Sequence, residues 1–336
     1  MVSDLSVSII ICTCNRAASL QPTLESLGKV KIPSGWQVEV IVVDNGSTDE
    51  TSMVVHRAAL TNMLVQYLYE GSKGKSNALN SAMAKARGEI FLFTDDDVCV
   101  PENWVEHMAA PLVRGQTDAV VGKIVLAQHL RRPWLSAWHQ VFLAVVDRQF
   151  YGQVELIGAN MGFRRSVLER VPAFDTETGP GSPNLTNEET LFGLQLVEAG
   201  FKVCYLDNVT VIHQPEEARL KRGQWLAVVS RCGRTQAYIA YHWKHDDISN
   251  PRLKWFWYWA KLQLRRIMQP PPDLDSEGCP AWEMSYVLNM EMNRHFCVER
   301  RRPRNYLRRG LRKLCVPEIT VDATNRHSKP VALRPS

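Results

Sequence analysis

The sequence predicts an α/β protein, a parallel sheet with helices on both faces, followed by a basic helical extension. Three observations predict it. Short apolar runs rich in β-branched residues alternate with segments of helical spacing through the first half. Polar clusters stand just past the carboxyl ends of those runs, where ligands of such sheets collect. Charge changes sign along the chain: residues 1–250 hold 23 Lys+Arg and 27 Asp+Glu, giving −4, whereas 251–336 hold 17 and 8, giving +9.

Residues 7–13 form a continuous apolar run, as a strand covered on both faces requires. Helical spacing follows over 20–27. A second buried strand is expected at 38–43, ending in Asp44-Asn45-Gly46-Ser47, with a helix over about 50–60 and a third strand at 64–69. Residues 75–87 read as a helix stopped by Gly88. Residues 90–94 are the fourth strand, and 101–112 open like a helix, with Pro101 and Glu102 in the first turn.

Val120-Val121-Gly122 and the stretch from Ile157 to Met161 read as further strands. Residues 176–187 are a Gly- and Pro-rich loop, 189–199 a helix closed by Gly200, and 201–206 and 209–212 two short strands. Beyond about 215 the chain turns helical and basic. An aromatic helix is expected at 253–268, stopped by Pro270-Pro271-Pro272, and a second at 286–314. The last residues, 315–336, carry little pattern and are expected to be loosely ordered.

Composition narrows the classes. At 45% hydrophobic and 22% charged, the chain is ordinary globular material. No apolar run approaches the ~20 residues of a membrane span, and the first residues show no secretory pattern. Eight scattered cysteines without a CxxC pair read as buried free thiols in a reducing cytosol. The expected setting is cytoplasmic, with the basic end able to meet the inner face of a membrane. The basic end lacks any recognisable nucleic-acid module, so no nucleic-acid partner is expected.

Thr94-Asp95-Asp96-Asp97 is the most informative cluster. Three carboxylates at the mouth of a buried strand repel one another and resist desolvation. A hard divalent cation that also grips phosphate oxygens would compensate them. A solvated acidic turn is the plainer alternative.

Four blocks occur in order: residues 7–16 (through Cys12-Thr13-Cys14-Asn15-Arg16), Val42-Val43-Asp44-Asn45-Gly46-Ser47-Thr48-Asp49, Gly74-Lys75-Ser76-Asn77-Ala78-Leu79-Asn80, and Asp95-Asp96-Asp97. A fifth, Glu188-Glu189-Thr190, precedes a helix running to Gly200-Phe201. Their order and spacing resemble the family 2 glycosyltransferases with the GT-A fold, over roughly residues 5–215.

The resemblance implies a mixed GT-A sheet flanked by helices, with a nucleotide-sugar half over about 1–118, an acceptor half over about 119–215 and a helical extension over 216–314. It implies an inverting glycosyltransferase acting on a nucleoside diphosphate sugar, with Mn²⁺ or Mg²⁺ as cofactor. Thr13, Asn15 and Arg16 would line the nucleotide pocket. Asp44 occupies the position of the family's uracil-binding carboxylate, and a carboxylate can accept the imide N–H of uracil. Asn45 stands where many members have a second carboxylate. Taken alone, Asp44 reads equally as a turn residue capping the next helix.

Lys73, Lys75 and Asn77 sit in or beside a Gly/Lys turn at a helix N-terminus, which suits a diphosphate, although solvated basic turns of this kind are common. By resemblance Asp95 would face the ribose and the metal, Asp96 would be the spacer, and Asp97 would bind the metal. Glu189, with Glu188 beside it, would take the proton from the acceptor hydroxyl; on spacing alone, stabilising the helix dipole explains both acids as well. By resemblance His213 would be a third metal ligand, although a lone His after a strand is more often structural. Arg219, Lys221 and Arg222 resemble the basic residues of a loop that can fold over the diphosphate and read equally as a solvated charged helix face; Asn160 resembles an acceptor-pocket wall.

Family acceptors are often lipid-linked. The 253–268 segment accordingly has two readings, a helix packed on the catalytic unit or an interfacial helix on an anionic membrane through 251–314. Two other functions compete on sequence. A nucleotidyltransferase would carry a Gly-rich loop after its first strand, where this chain has Cys12-Thr13-Cys14. A non-catalytic binding protein would have no need of Asp95, Asp97 and Glu189 together.

Overall fold

A computed structural model of the protein describes residues 5–58, 60, 62–145, 155–182 and 186–314. The expected loose tail at 315–336 lies outside the described residues.

The first half alternates as its apolar runs predict: β1 (Leu5–Thr13), α1 (Ala17–Leu27), β2 (Trp36–Asp44), α2 (Thr51–Arg57), β3 (Leu64–Tyr69), α3 (Lys75–Lys85), β4 (Ile90–Phe93), the two-residue β5 (Val98–Cys99) and α4 (Trp104–Val113). There follow β6 (Ala119–Leu126), α5 (Ala137–Val141), β7 (Met161–Arg164), α6 (Glu188–Glu198) and β8 (Val203–His213). The chain closes with α7 (Arg222–Tyr238), which runs on as a π-helix over Ile239–Lys244, then α8 (Pro251–Met268) and α9 (Ala281–Glu299).

Eight strands make one sheet in the order β3-β2-β1-β4-β7-β6-β8-β5. It is mixed rather than all parallel: β1, β2, β3 and β4 run parallel, whereas β7 is antiparallel to both β4 and β6, and β5 to β8. Period-two alternation divides the core. Ile9, Ile11 and Leu92 meet Leu20, Leu24, Trp104 and Met108 on one face, while Ile10, Phe91 and Phe93 meet Leu79, Met83, Phe163 and Phe192 on the other. A third apolar cluster joins α7, α8 and α9 to Leu126 and Leu130 beside the sheet.

Three expectations need correction. The strands expected at 201–206 and 209–212 are the single strand β8. Its exposed Asp207-Asn208 pair reads as a turn in sequence but lies where the pairing with β6 shifts register, between Gly122 and Lys123. Residues 158–160 form a 3₁₀ turn, so β7 begins only at Met161. The helix expected over 286–314 is α9, which starts behind Pro280 and stops at Glu299. Pro303 cannot continue it, and 300–314 run on as an irregular strap.

The thiol expectation holds in part. Seven described cysteines are free; only Cys232 and Cys279 are buried, and Cys14 is exposed.

Candidate active site

The site is assembled from loops at the carboxyl ends of β1, β2 and β4. Asn15 takes the left-handed conformation, φ 54°, which Asn tolerates better than most residues. That bend lets its backbone N–H donate to the Ser47 hydroxyl (2.8 Å) while its side-chain carbonyl accepts from the Thr48 N–H (2.7 Å). Asp49 accepts from the Ala17 and Thr51 N–H groups, so one carboxylate caps α1 and α2 together.

Asp44 is buried. One oxygen accepts the Ser47 N–H (2.8 Å) in the turn that the sequence allowed, and the other accepts the Tyr67 hydroxyl (2.7 Å). Asn45 holds the next loop: its amide donates to the Glu70 and Ser72 carbonyls and its oxygen accepts from the Gly74 N–H. Both of its amide hydrogens and one carbonyl lone pair are therefore used within the chain.

The three adjacent carboxylates are divided between two cations. Arg16 spans Asp96 (2.7 Å) and Asp97 (2.9 Å), and Lys75 takes Asp95 (2.7 Å). Burial raises the Asp96 carboxyl to about 6 despite Arg16. Burial would raise Asp97 too, but His213 and Arg16 outweigh it and hold its carboxyl well below the usual range.

His213 Nε2 lies 3.3 Å from Asp97 Oδ1, and its Nδ1 is 2.7 Å from the Leu143 carbonyl. A carbonyl only accepts, so Nδ1 carries the hydrogen, and the Nε2 of a neutral ring turns its lone pair toward Asp97. Asp97 Oδ1 is buried and receives no hydrogen bond. With His213 neutral, two electron-rich atoms face one another in a buried place; with it protonated, the state that Asp97 favours by raising the ring's pKa against burial, the two form an ion pair. A divalent cation fits between such donors chemically, and a proton on His213 is the alternative. Of the three expected metal ligands, Asp97 and His213 come together while Asp95 belongs to Lys75. Among the described residues no ready group of three acidic, His or Cys ligands stands at one point.

Lys75 also reaches Glu188 (3.1 Å), which is only 2% exposed. It therefore joins the acidic cluster to the N-terminus of α6, where Glu189 sits half-buried. Burial pushes Glu189 well above the usual carboxylate range, and neighbouring Glu188 adds to the rise. The α3 N-terminus, which the sequence suggests for a diphosphate, is in contact with another loop. The Lys75 N–H donates to the Pro180 carbonyl (2.8 Å), the Ser76 hydroxyl donates to the Thr178 carbonyl, and Gly181 packs on Gly74, so the 178–182 loop covers that end. Asn77 donates to the Lys73 carbonyl, and the Lys73 side chain is exposed.

The three basic residues after β8 separate. Only Arg219 faces the acidic site: burial lowers its pKa while Asp97 acts against that. Arg222 is locked on Glu283 (2.5 Å) of α9, and Lys221 pairs with exposed Asp275. Asn160 is a buried tie, accepting from the Trp104 indole and donating to the Lys123 carbonyl.

Two cysteines stand beside the site; sequence reasoning places Cys12 near the nucleotide pocket but reads it as strand packing, and it misses Cys232. Cys12, half-buried, lies near Lys75, Glu188 and Asp95; desolvation first, with the two carboxylates, pushes its thiol up, and Lys75 acts against them. Cys232 of α7, raised to about 12 chiefly by burial, counts Glu189 and Arg219 among its charged neighbours. The position of Cys12 between strand and loop was visible in the sequence, but nothing local marks Cys232.

Two family descriptions match the chain: Glycosyl transferase family 2 over residues 8–171, and Glycosyl transferase family group 2 over residues 90–297, more than half its length. Among curated relatives, the probable glycosyltransferase YdaM of Bacillus subtilis is 24% identical over 274 residues, 78% of this chain. The chain spans 60% of that relative's length. The glucosyl-dolichyl phosphate glucuronosyltransferase of Haloferax volcanii is 24% identical, over 64% of this chain and 71% of its own.

Among solved structures, the mannosyltransferase PcManGT of Pyrobaculum calidifontis, in complex with GDP-Man and Mn²⁺, superposes with a TM-score of 0.51 at 21% identity. That likeness covers 87% of this chain and 86% of the other, and it shows that the fold is shared. The mixed sheet, the ordered blocks and the family match agree: the chain belongs to the family 2 glycosyltransferases.

Proposed function

We propose that this chain is an inverting glycosyltransferase that moves a sugar from a nucleoside diphosphate sugar, in the first instance a UDP-sugar, to an acceptor hydroxyl. One observation supports it most: Asp97 Oδ1 is buried without a hydrogen bond and lies 3.3 Å from His213 Nε2. A divalent cation can take this place between carboxylate and imidazole, where a proton on His213 otherwise sits.

Asp97 and His213 would hold Mn²⁺ or Mg²⁺, with Asp95 joining if Lys75 yields it. When bound, such an ion neutralises the diphosphate oxygens of the departing nucleotide. Arg16 and Arg219 stand beside Asp97 as the cations nearest that charge, and exposed Lys73 is free to approach a phosphate. Thr13 and Asp44 form the buried floor, with Asn15, Asn45 and Asn77 holding its loops.

Glu189 is the base. The acceptor oxygen forms a bond to the anomeric carbon, its proton passes to Glu189, and the bond from that carbon to the diphosphate breaks with its electron pair. The raised pKa makes Glu189 a stronger proton acceptor than an ordinary carboxylate. Glu188, paired with Lys75, fixes the helix end that carries it.

In this reading residues 1–215 form the catalytic unit and 216–314 pack on it, α7 contributing Cys232 to the wall beside Glu189. The Haloferax relative, named for a glucosyl-dolichyl phosphate, supports an acceptor presented on a lipid. The basic 251–314 segment accords with an anionic membrane surface. The test is sugar transfer from UDP- and GDP-sugars by wild type and Glu189→Gln. Transfer at an undiminished rate by the variant would remove Glu189 from its role, and pyrophosphate release with no sugar transfer would favour a nucleotidyltransferase.

A further inference from the structure

Helix α8 is mounted with its apolar side outward. Leu253, Phe256, Trp257, Leu264, Ile267 and Met268 are exposed, from 49% at Trp257 to 77% at Ile267. At the 3.6 residues per turn of an α-helix, these six fall within an arc of about 120°. Leu262, 2% exposed, lies on the opposite side and joins the cluster formed with α7 and α9. That inner side is also fastened by polar contacts: Arg266 bonds Glu283 (2.7 Å) and Arg265 lies over the Trp282 ring (4.8 Å). The outward stripe is therefore the face left over after the helix has docked.

Charge frames the stripe. Lys254 and Lys261 flank one edge and Arg252 the other, and residues 251–272 contain no acidic residue. Lys261 lies over the Trp257 ring at 3.5 Å, so its cation sits beside the aromatic surface. Among the described residues no helix is long and apolar enough to cross a membrane. A stripe of this width, rimmed by cations and carrying Trp and Phe, matches a helix lying in the headgroup layer.

We infer that α8 docks this enzyme on an anionic lipid surface, its outward stripe entering the headgroup–acyl boundary while Arg252, Lys254 and Lys261 meet lipid phosphates. The inference deepens the proposed glycosyl transfer by assigning the surface at which a lipid-held acceptor is met, and rests on that reading only for its biological purpose. A second copy of the chain is the poorer occupant, because pairing two stripes brings like charges together with no acid to offset them.

The experiment is flotation of the full chain with phosphatidylcholine vesicles, with and without about one third phosphatidylglycerol. Trp emission and nucleotide binding are followed in the same samples. Wild type is expected to float with the anionic vesicles, with a blue shift in Trp emission, and to release at high salt. Phe256→Ser with Ile267→Ser should weaken partition by about tenfold or more. Arg252→Gln and Lys254→Gln should each weaken it about fivefold on anionic vesicles alone. All variants should keep the wild-type Tm and nucleotide affinity.

Unchanged flotation in the Ser variants, or equal binding to neutral vesicles, overturns the inference. So does a concentration-dependent dimer in wild type that the Ser substitutions abolish. So does flotation that disappears when residues 315–336 alone are removed. Loss of nucleotide binding by every form, with flotation intact, would instead refute the catalytic reading and leave the docking surface standing.

Discussion

Two buried carboxylate clusters in this molecule are built to opposite specifications. In the clamp beneath the C-terminal strap, Asp175 accepts from Lys313 (2.8 Å), Tyr238 (2.5 Å) and Tyr306 (2.7 Å), and Glu177 from Arg302, Asn305 and Lys313. Burial acts to raise both carboxyls, yet these donors, led at Asp175 by Lys313, hold them low. At the mouth of β4, three carboxylates share Arg16 and Lys75, Asp96 is raised, and Asp97 keeps one oxygen without a donor. A fully satisfied cluster holds chain segments together, whereas one left short is prepared for something that arrives. The first is structural, and the second is the proposed donor site.

The largest separation of the two should appear in Glu189→Gln, on the catalytic side. Transfer should fall about 10²–10⁴-fold while nucleotide affinity is kept. Because the folded pKa of Glu189 is raised, its ionised form opposes folding above the ordinary carboxylate range. The Gln variant should therefore melt higher than wild type at neutral pH and lose that advantage as the medium is acidified. For the same reason wild-type kcat/KM should fall as pH drops through the raised pKa. Equal melting temperatures at all pH values would contradict the burial argument.

Next comes the clamp. Asp175→Ala leaves two tyrosine hydroxyls without their acceptor and Lys313 with Glu177 alone. Denaturant unfolding should register a loss of about 3–5 kcal/mol. The linkage has the opposite sign from Glu189. Asp175, Glu177 and Glu299 have depressed folded pKa values, so their stability is present above the unfolded values, near 4, and is lost as pH falls through the folded ones. The wild-type melting temperature should decline below about pH 4, and Asp175→Asn should flatten that decline.

Much of this was legible in the sequence because it is written locally. Apolar runs with β-branched residues placed the first four strands, and the five ordered blocks placed Asp44, Asp95-Asp97 and Glu189 at one mouth. What was not legible depends on long-range pairing. Antiparallel β7 inside a parallel frame, the 178–182 loop over the α3 N-terminus, and the Arg222–Glu283 lock all join residues far apart in sequence. Their local patterns are neutral. Arg222 looked like a diphosphate cation because charge alone does not reveal its partner. Residues 300–314 looked helical because Arg-rich spacing masked the effect of Pro303.

The smallest expected effect is at Lys73, exposed at the edge of the site. Lys73→Ala should weaken donor binding by only a few-fold, more at low salt than high, and leave the melting temperature unchanged. A fall in melting temperature would give Lys73 a structural part that its exposure does not suggest.

The central claim is that the under-satisfied cluster receives a metal-bound nucleotide. Calorimetric titration of UDP, GDP and dTDP, each with and without Mn²⁺, into wild type and Asp97→Ala tests it most directly. The account predicts Mn²⁺-dependent binding of one nucleotide that disappears in the variant, with both proteins folded. Binding of equal strength in Asp97→Ala, or none by a folded wild type, would contradict it.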